Sequence, residues 1–268
     1  MLASLEAAPE SDPRGTVLCL HGYPESSQMF APLVGAAAGA GWRALAPDLP
    51  GYGDSDPDPP HTWTRMVDAV EAFWQERIGE PVVLVVHDWG GLIGLRWACD
   101  HPEAVRALVI SDTGFFPDGK WHGLAQAMRT EGQGEEVVAG ITRESLGQLL
   151  QGISPAFDDD AVDEYYKAFG DDVRRRGQLE LYRSGEFSEL EAYDGKLAAL
   201  GVPALILWGE DDPFAPVAGA KRLVEEIPGA RLEVLPGTGH FIFDEAAEQT
   251  TASVLEFLAT LDSGPPAL

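Results

Sequence analysis

Six short apolar runs recur along the chain and have the composition of buried β-strands. Val, Leu and Ile occupy consecutive positions in these runs, which is typical of parallel strands covered on both faces. The runs are residues 15–22, 41–49, 81–88, 105–112, 203–210 and 230–237. Between them lie longer segments with helical patterns, at residues 27–40, 64–78, 90–99, 215–227 and 245–261. This alternation predicts an α/β fold built on a doubly wound, mostly parallel sheet.

The alternation is interrupted between residues 115 and 196, where no strand-like run occurs and the pattern is helical and polar. Two more strands follow this segment, so it is an insertion after a central strand rather than a separate half of the chain. The sequence therefore predicts a core made of residues 1–114 and 197–268 and a helical cap made of residues 115–196. We expect the cap to lie over the carboxyl ends of the strands, where open α/β sheets bind their ligands. The tail at residues 262–268 is expected to fray.

The charge balance narrows the range of partners. The formal net charge is −26 at pH 7, so nucleic acid and anionic membrane surfaces, which need a basic patch, are poor partners. Cys19 and Cys99 lie in apolar runs and are predicted to be buried free thiols. The first residues lack the features of a signal peptide, and no window is apolar enough to span a membrane, so a cytoplasmic protein is expected. The oligomeric state stays open.

An acid stands at the end of one of the most apolar runs, in "VVLVVHDWGG" at residues 82–91. Asp88 lies between a predicted strand and a predicted helix, and the glycines that follow it allow a sharp turn between the two. Such a turn projects its central side chain above the sheet, as in a nucleophile elbow. The usual first glycine of that motif is replaced by Val86. An Asp that only caps the helix is the alternative.

Two later segments favour the nucleophile. An acid follows the penultimate strand in "WGEDDPFAP", and a histidine follows the last strand in "PGTGHFIFDE". The chain order nucleophile, acid, histidine then predicts a triad of Asp88, Asp212 and His240. Asp211 is the alternative acid.

These segments, together with "HGYPESSQMFAPL", "PDLPGYGDSD" and "VVHDWGGLIGLRWACDHPEAV", resemble the α/β-hydrolase fold. The resemblance covers residues 15–113 and 200–260 and is to the branch with an aspartate nucleophile, which contains epoxide hydrolases and haloalkane dehalogenases. It implies that Asp88 attacks an electrophilic carbon and forms an alkyl ester. A water activated by His240 then hydrolyses the ester, while Asp212 orients the histidine. An esterase is disfavoured, because a carboxylate attacks ordinary esters poorly.

The resemblance also implies roles for residues around the nucleophile. The backbone N–H groups of Tyr23 and Trp89 are the expected oxyanion donors. The turn that contains His21, Gly22 and Pro24 is expected to border the substrate. The substrate is expected to be a small apolar electrophile that reacts with water. No metal constellation and no dinucleotide-binding loop is found in the sequence, so no cofactor is expected.

The two branches differ in the leaving group. An epoxide oxygen needs an acid to leave. The segments "DEYYKAFGDD" and "GQLELYRSGEF" resemble the cap segments of epoxide hydrolases that carry the two acidic tyrosines. The resemblance implies that Tyr165 and Tyr182 supply this acid, with Tyr166 as the alternative to Tyr165. A halide needs only N–H donors, which Trp89 and Trp121 could supply. We expect an epoxide hydrolase, with a haloalkane dehalogenase as the alternative. Another α/β-hydrolase or a non-catalytic binding protein of the same fold is less favoured.

Overall fold

The computed structural model describes residues 2–261 and has a seven-stranded sheet at its centre. The prediction that the last residues fray falls outside the described part. The strands are β1 Ser4–Ala7, β2 Thr16–Leu20, β3 Arg43–Pro47, β4 Val82–His87, β5 Val105–Ser111, β6 Ala204–Gly209 and β7 Arg231–Leu235. Their order across the sheet is β1-β3-β2-β4-β5-β6-β7. Only β1 runs antiparallel to its neighbour, so the predicted mostly parallel sheet is confirmed.

Strand β4, which leads to Asp88, lies in the middle of the sheet. It pairs in parallel with β2 on one side and with β5 on the other, and Leu84 lies opposite both Leu18 and Leu108. All six residues of β4 are buried, as are all five of β2. This burial explains the continuous apolar runs in the sequence, because a strand with both faces covered has no polar face to present to water.

The helices lie between and around these strands. They are α1 Ala31–Gly39, α2 Trp63–Arg77, α3 Trp89–Asp100, α4 Gly123–Arg129, α5 Gln133–Gly140, α6 Arg143–Ile153, α7 Asp159–Tyr166, α8 Asp172–Arg183, α9 Lys196–Ala199, α10 Ala218–Glu226, α11 Ile242–Glu245 and α12 Ala247–Leu261. Helix α1 packs against α12, and α2 packs against α3. Short 3₁₀ helices occupy Ser27–Phe30, Pro102–Ala104, Lys167–Phe169 and Phe187–Tyr193.

The segment between β5 and β6 contains helices α4 to α9 and, among the described residues, no strand. Side chains at its helix starts accept backbone N–H groups that the helix leaves unpaired. Thr142 caps α6, Asp158 caps α7 and Asp171 caps α8. Residues of this segment line the cavities beside Asp88, so it covers the carboxyl ends of the strands.

One strand of the sheet extends the sequence-based expectation. Strand β1, which was not predicted, forms the edge of the sheet and pairs Leu5 with Ala46 of β3. It has four residues, too few for any periodicity to be visible in the sequence.

Cys19 and Cys99 are free and buried, as predicted. No described helix is long and apolar enough to cross a membrane.

Candidate active site

Asp88 occupies a strained turn between β4 and α3. Its backbone angles are φ 46° and ψ −119°, in a region that costs a residue with a side chain about 1–3 kcal/mol. Hydrogen bonds to the Asp88 carbonyl oxygen hold this turn. The hydroxyl of Thr113 donates to the Asp88 carbonyl oxygen at 2.7 Å, and the N–H of Gly91 donates to the same oxygen at 2.9 Å. The strain therefore presents the Asp88 side chain above the end of the central strand.

Glycines allow this turn to pack closely against its surroundings. A β-carbon on Gly90 would lie 2.1 Å from the carbonyl oxygen of Leu20, so α3 can approach β2 only with glycine at this position. A β-carbon on Gly22 would lie 2.4 Å from the β-carbon of Asp88. Gly22 therefore lies directly against the nucleophile candidate, and the next residue, Tyr23, can present its backbone to it.

The two carboxylate oxygens of Asp88 face different groups. The backbone N–H of Tyr23 donates to Oδ1 at 2.8 Å, and Nε2 of His240 lies 3.5 Å from Oδ2. Burial alone would raise the pKa of the Asp88 carboxyl. The hydrogen bond and charge of His240, together with the Tyr23 N–H, outweigh burial and lower the pKa to about 2. Asp88 is therefore ionised at neutral pH.

His240 is held on its other side by Asp212. Nδ1 of His240 donates to Oδ2 of Asp212 at 2.8 Å, and Oδ1 of Asp212 accepts the backbone N–H groups of Phe214 and Ala215 at 2.7 and 3.0 Å. Asp212 is buried, whereas the alternative acid Asp211 is exposed. Burial lowers the pKa of His240, but the hydrogen bonds to the two carboxylates more than offset it and raise the pKa well above its ordinary value.

Behind Asp88, Asp212 and His240 lies a row of buried titratable side chains that was not predicted from the sequence as a group. Asp112 directly follows β5 with φ 42°, and its Oδ1 accepts the N–H of Gly209 at 2.9 Å. His87 lies with its Nδ1 3.9 Å from Oδ2 of Asp112 and its Nε2 3.5 Å from Oε2 of Glu25. Burial raises the pKa values of both acids well above the ordinary range and lowers the pKa of His87 to about 3. The signal for Asp112 was present, because it directly follows an apolar strand just as Asp88 does.

The tyrosines of the helical segment have different surroundings. Tyr182 lines both cavities that reach Asp88. Burial raises the pKa of its hydroxyl well above the ordinary value, the Asp88 carboxylate acts in the same direction, and a hydrogen bond with Trp89 opposes both. The hydroxyl of Tyr165 instead donates to the carboxylate of Asp244, at 2.9 and 3.0 Å from its two oxygens. Tyr166 accepts from Arg175 at 3.2 Å. Neither Tyr165 nor Tyr166 lines the two cavities.

Two tryptophans lie together beside Asp88. The rings of Trp89 and Trp121 are stacked, with centroids 5.6 Å apart, and both line the same cavity. The indole Nε1 of Trp121 is buried and has no hydrogen-bond partner among the described residues. A buried N–H without a partner costs free energy, so such a group is expected to have a function.

Of the other residues predicted to border the substrate, Pro24 lines a cavity with Asp88 and His21 does not. His21 is fully buried with both ring nitrogens bonded to backbone, Nδ1 to the oxygen of Gly22 and Nε2 to the N–H of Leu49, so it supports the turn and lines neither of the two cavities. His122 and Phe214 line both cavities beside Asp88 and were not predicted. No group of three or more potential ligands within residues 2–261 is arranged to hold a metal ion.

Residues 15–247 match the family described as the alpha/beta hydrolase fold. The chain belongs to this family. This hydrolase is 29% identical over 258 residues to a haloalkane dehalogenase of Mycobacterium marinum, an alignment that covers 90% of this chain and 84% of the relative.

Solved structures of two enzyme types share its fold. A haloalkane dehalogenase from Bradyrhizobium elkani superposes with a TM-score of 0.85 and 23% identity, covering 98% of this chain and 96% of the other. An epoxide hydrolase from Vigna radiata superposes with a TM-score of 0.80 and 23% identity, covering 96% and 93%. The predicted α/β-hydrolase fold and the resemblance to this branch are therefore confirmed.

Proposed function

We propose that this hydrolase attacks an electrophilic sp³ carbon with Asp88 and forms an alkyl ester. The observation that carries the proposal is the ionised carboxylate on the strained turn, with one oxygen on the Tyr23 N–H and the other 3.5 Å from His240. A carboxylate needs no base to attack, in contrast to a serine hydroxyl. Oδ2 forms the bond to carbon while the bond from carbon to the leaving group breaks.

In the second step, water attacks Cγ of the ester and His240 Nε2 takes one of its protons. Negative charge then develops on Oδ1, the oxygen that already accepts the Tyr23 N–H at 2.8 Å. The backbone N–H of Trp89 is the second proposed donor. Collapse of this intermediate releases the alkoxide, which takes the proton back from His240 and leaves as an alcohol. The other proton of the water passes to solvent, and Asp212 holds the imidazolium throughout.

For the leaving group we propose a halide, which is the second of the two expectations from the sequence. Trp121 supports this choice, because its ring lines a cavity beside Asp88 together with Trp89, its indole N–H has no hydrogen-bond partner among the described residues, and a departing halide needs N–H donors. Tyr165 also gives its hydroxyl to Asp244, which removes one of the two acids that the epoxide mechanism was expected to use. Among the relatives, the Mycobacterium marinum protein is a haloalkane dehalogenase.

Epoxide opening is the second candidate, and Tyr182 is the observation that favours it. Tyr182 lines both cavities together with Asp88. Its hydroxyl could donate a proton to the oxygen of an opening epoxide ring. The Vigna radiata epoxide hydrolase shares the fold.

One comparison tests both candidates. The protein is incubated with bromoalkanes and with epoxides, and halide release and diol formation are measured separately. Trp121→Phe, which keeps a ring beside Trp89 but removes the N–H, should slow halide release at least about 10-fold, the loss of one hydrogen bond of about 1.4 kcal/mol in the transition state. Tyr182→Phe should slow diol formation if epoxides react. Trp74→Phe is the matched control, because its indole donates to the Glu80 carbonyl oxygen outside both cavities. Diol formation without halide release would overturn the halide proposal.

A further inference from the structure

Two cavities meet at Asp88, and they differ in character. We call the first the apolar arm; it has a volume of about 290 Å³. The second has a volume of about 250 Å³ and contains the two stacked tryptophans together with Asp112, Lys120 and Arg222. Asp88 and His240 belong to both linings. A substrate that reacts at Asp88 can therefore direct its leaving group into the second cavity and its remaining substituent into the apolar arm.

The apolar arm extends away from Asp88 along helices α5 and α6. Val137 of α5 and Ile141, which directly follows α5, line one side of it. Leu146 and Leu150 of α6 also line it. Among the described residues that line the apolar arm, Ser145 is the only one with a polar side chain apart from the group around Asp88, which consists of Tyr23, Asp88, His122, Tyr182 and His240. A surface of this kind offers an alkyl chain burial without requiring hydrogen bonds.

The outer end of the apolar arm reaches the protein surface as an exposed apolar rim, formed by Leu124, Leu149 and Ile153. Their exposed fractions are 37%, 59% and 39%. Within residues 2–261, the only other large apolar side chain that is exposed is that of Val173, at 44%, and it lines neither cavity. Three of these four side chains thus lie on one cavity of a strongly acidic protein.

Helix α6 connects the buried lining to the rim. Leu146 and Leu150 are buried, at 4% and 1% exposed, whereas Leu149 and Ile153 reach solvent. These four positions are three or four residues apart, so they form one continuous stripe along the helix. All four residues line the apolar arm, and none of them is charged.

We propose that the apolar arm binds an unbranched alkyl chain of the substrate, with the reacting carbon at Asp88 and the distal carbons along the α6 stripe as far as the rim. The substrate class is thus a long-chain alkyl electrophile rather than a compact one. The proposal rests on the proposed function for the position of the reacting carbon. It does not depend on whether a halide or an epoxide oxygen leaves.

The test compares a series of unbranched bromoalkanes from bromobutane to bromodecane. The quantity measured is kcat/KM, which should rise by up to about fourfold per added methylene, the fold-change that corresponds to about 0.8 kcal/mol per buried methylene. Leu149→Ser and Ile153→Ser, alone and together, should lower kcat/KM increasingly as the chain becomes longer. Val173→Ser, an equally exposed apolar residue outside the cavity, should leave the whole series unchanged.

A parallel binding experiment separates this proposal from the proposed function. The affinities of unreactive alkanols, from butanol to decanol, are measured by calorimetry for the wild type and the same three variants. If no substrate reacts but alkanol affinity rises with chain length and falls in Leu149→Ser and Ile153→Ser, the apolar arm stands and the proposed function fails. If halide is released but neither kcat/KM nor affinity depends on chain length, the apolar arm is wrong and the proposed function stands. If Val173→Ser lowers kcat/KM and affinity as much as the rim variants do, the apolar-arm proposal is also wrong.

Discussion

Nε2 of His240 lies 3.5 Å from Oδ2 of Asp88, the carboxylate oxygen that the Tyr23 backbone leaves free. This spacing allows the histidine to serve the second step of the proposed reaction without taking part in the first. Attack by Oδ2 needs only the ionised carboxylate. Hydrolysis of the resulting ester needs a base on the same side of the carboxyl group, where Nε2 of His240 can take a proton from the water that attacks Cγ.

His240→Gln should therefore trap the ester. The glutamine cannot take a proton from water, so ester hydrolysis should fall by about 10²–10⁴-fold, while alkylation of Asp88 continues. Intact-protein mass spectrometry after incubation with a bromoalkane should show the added alkyl group, and peptide mapping should place it on Asp88. Asp88→Asn in the same background should remain unmodified. An adduct on another residue would contradict the mechanism.

The pKa values predict different pH dependences for the two steps. With its pKa at about 2, Asp88 is ionised from about pH 5 to about pH 9, so the rate of alkylation should be flat over this range. Ester hydrolysis requires neutral His240, whose pKa the two carboxylates raise. Esterification removes the charge of Asp88, but Asp212 still favours the protonated histidine, so hydrolysis should rise with pH to a plateau.

Single-turnover measurements can resolve these two steps. Asp212→Asn removes the remaining carboxylate that raises the pKa of His240, so the midpoint of the hydrolysis step should move to lower pH while the plateau rate falls. A common midpoint for both steps, unaffected by Asp212→Asn, would show that another group controls the reaction.

The order of acid and histidine at the strand ends could be predicted from the sequence because it depends on local patterns. Asp88, Asp212 and His240 each follow an apolar run, and parallel strands bring their carboxyl ends to one edge of the sheet. The partner of Tyr165 could not be predicted in this way. Asp244 is 79 positions further along the chain, and only the packing of the helical segment on the core brings the two together. The exposed apolar rim on α4 and α6 likewise depends on how the helices are placed.

Tyr165→Phe should affect stability rather than chemistry. The hydroxyl donates to the carboxylate of the half-buried Asp244, whose pKa burial raises to about 7 against the opposing effect of this hydrogen bond. Removing the donor leaves this carboxylate without the hydrogen bond that lowers its pKa, so the free energy of unfolding should fall by about 1 kcal/mol. Urea denaturation measures this loss. Rates of alkylation and ester hydrolysis should be unchanged, and a large fall in either step with unaltered stability would return Tyr165 to the reaction.

Asp112→Asn should change how stability depends on pH. Because the pKa of Asp112 is raised, the folded protein holds this proton more tightly than the unfolded chain. The contribution of the Asp112 carboxyl to stability is therefore complete below its ordinary pKa of about 4, and it is lost as the pH rises through the raised pKa. Asn cannot ionise and still offers an oxygen to the Gly209 N–H, so the variant should lose less stability between about pH 5 and about pH 8 than the wild type.

The control for this measurement is Asp211→Asn, which changes an exposed acid beside Asp212. Urea denaturation at both pH values should give this control the same pH dependence as the wild type. If Asp112→Asn also keeps the wild-type dependence, the Asp112 carboxyl is not the source of it.

Gly22→Ala tests whether the turn after β2 sets the position of the oxyanion donor. The new β-carbon would lie 2.4 Å from the Asp88 β-carbon and 2.5 Å from its Oδ1, so the turn must move and carry the Tyr23 N–H away. Loss of such a donor typically lowers kcat by about 10²–10³-fold, and ester hydrolysis should slow by this order. Gly35→Ala is the matched control. It lies in α1 with open space around it, so a methyl group there should stabilise the helix by about 0.5–1 kcal/mol and leave both steps unchanged. If Gly22→Ala hydrolyses its ester at the wild-type rate, the Tyr23 N–H does not stabilise the charge on Oδ1.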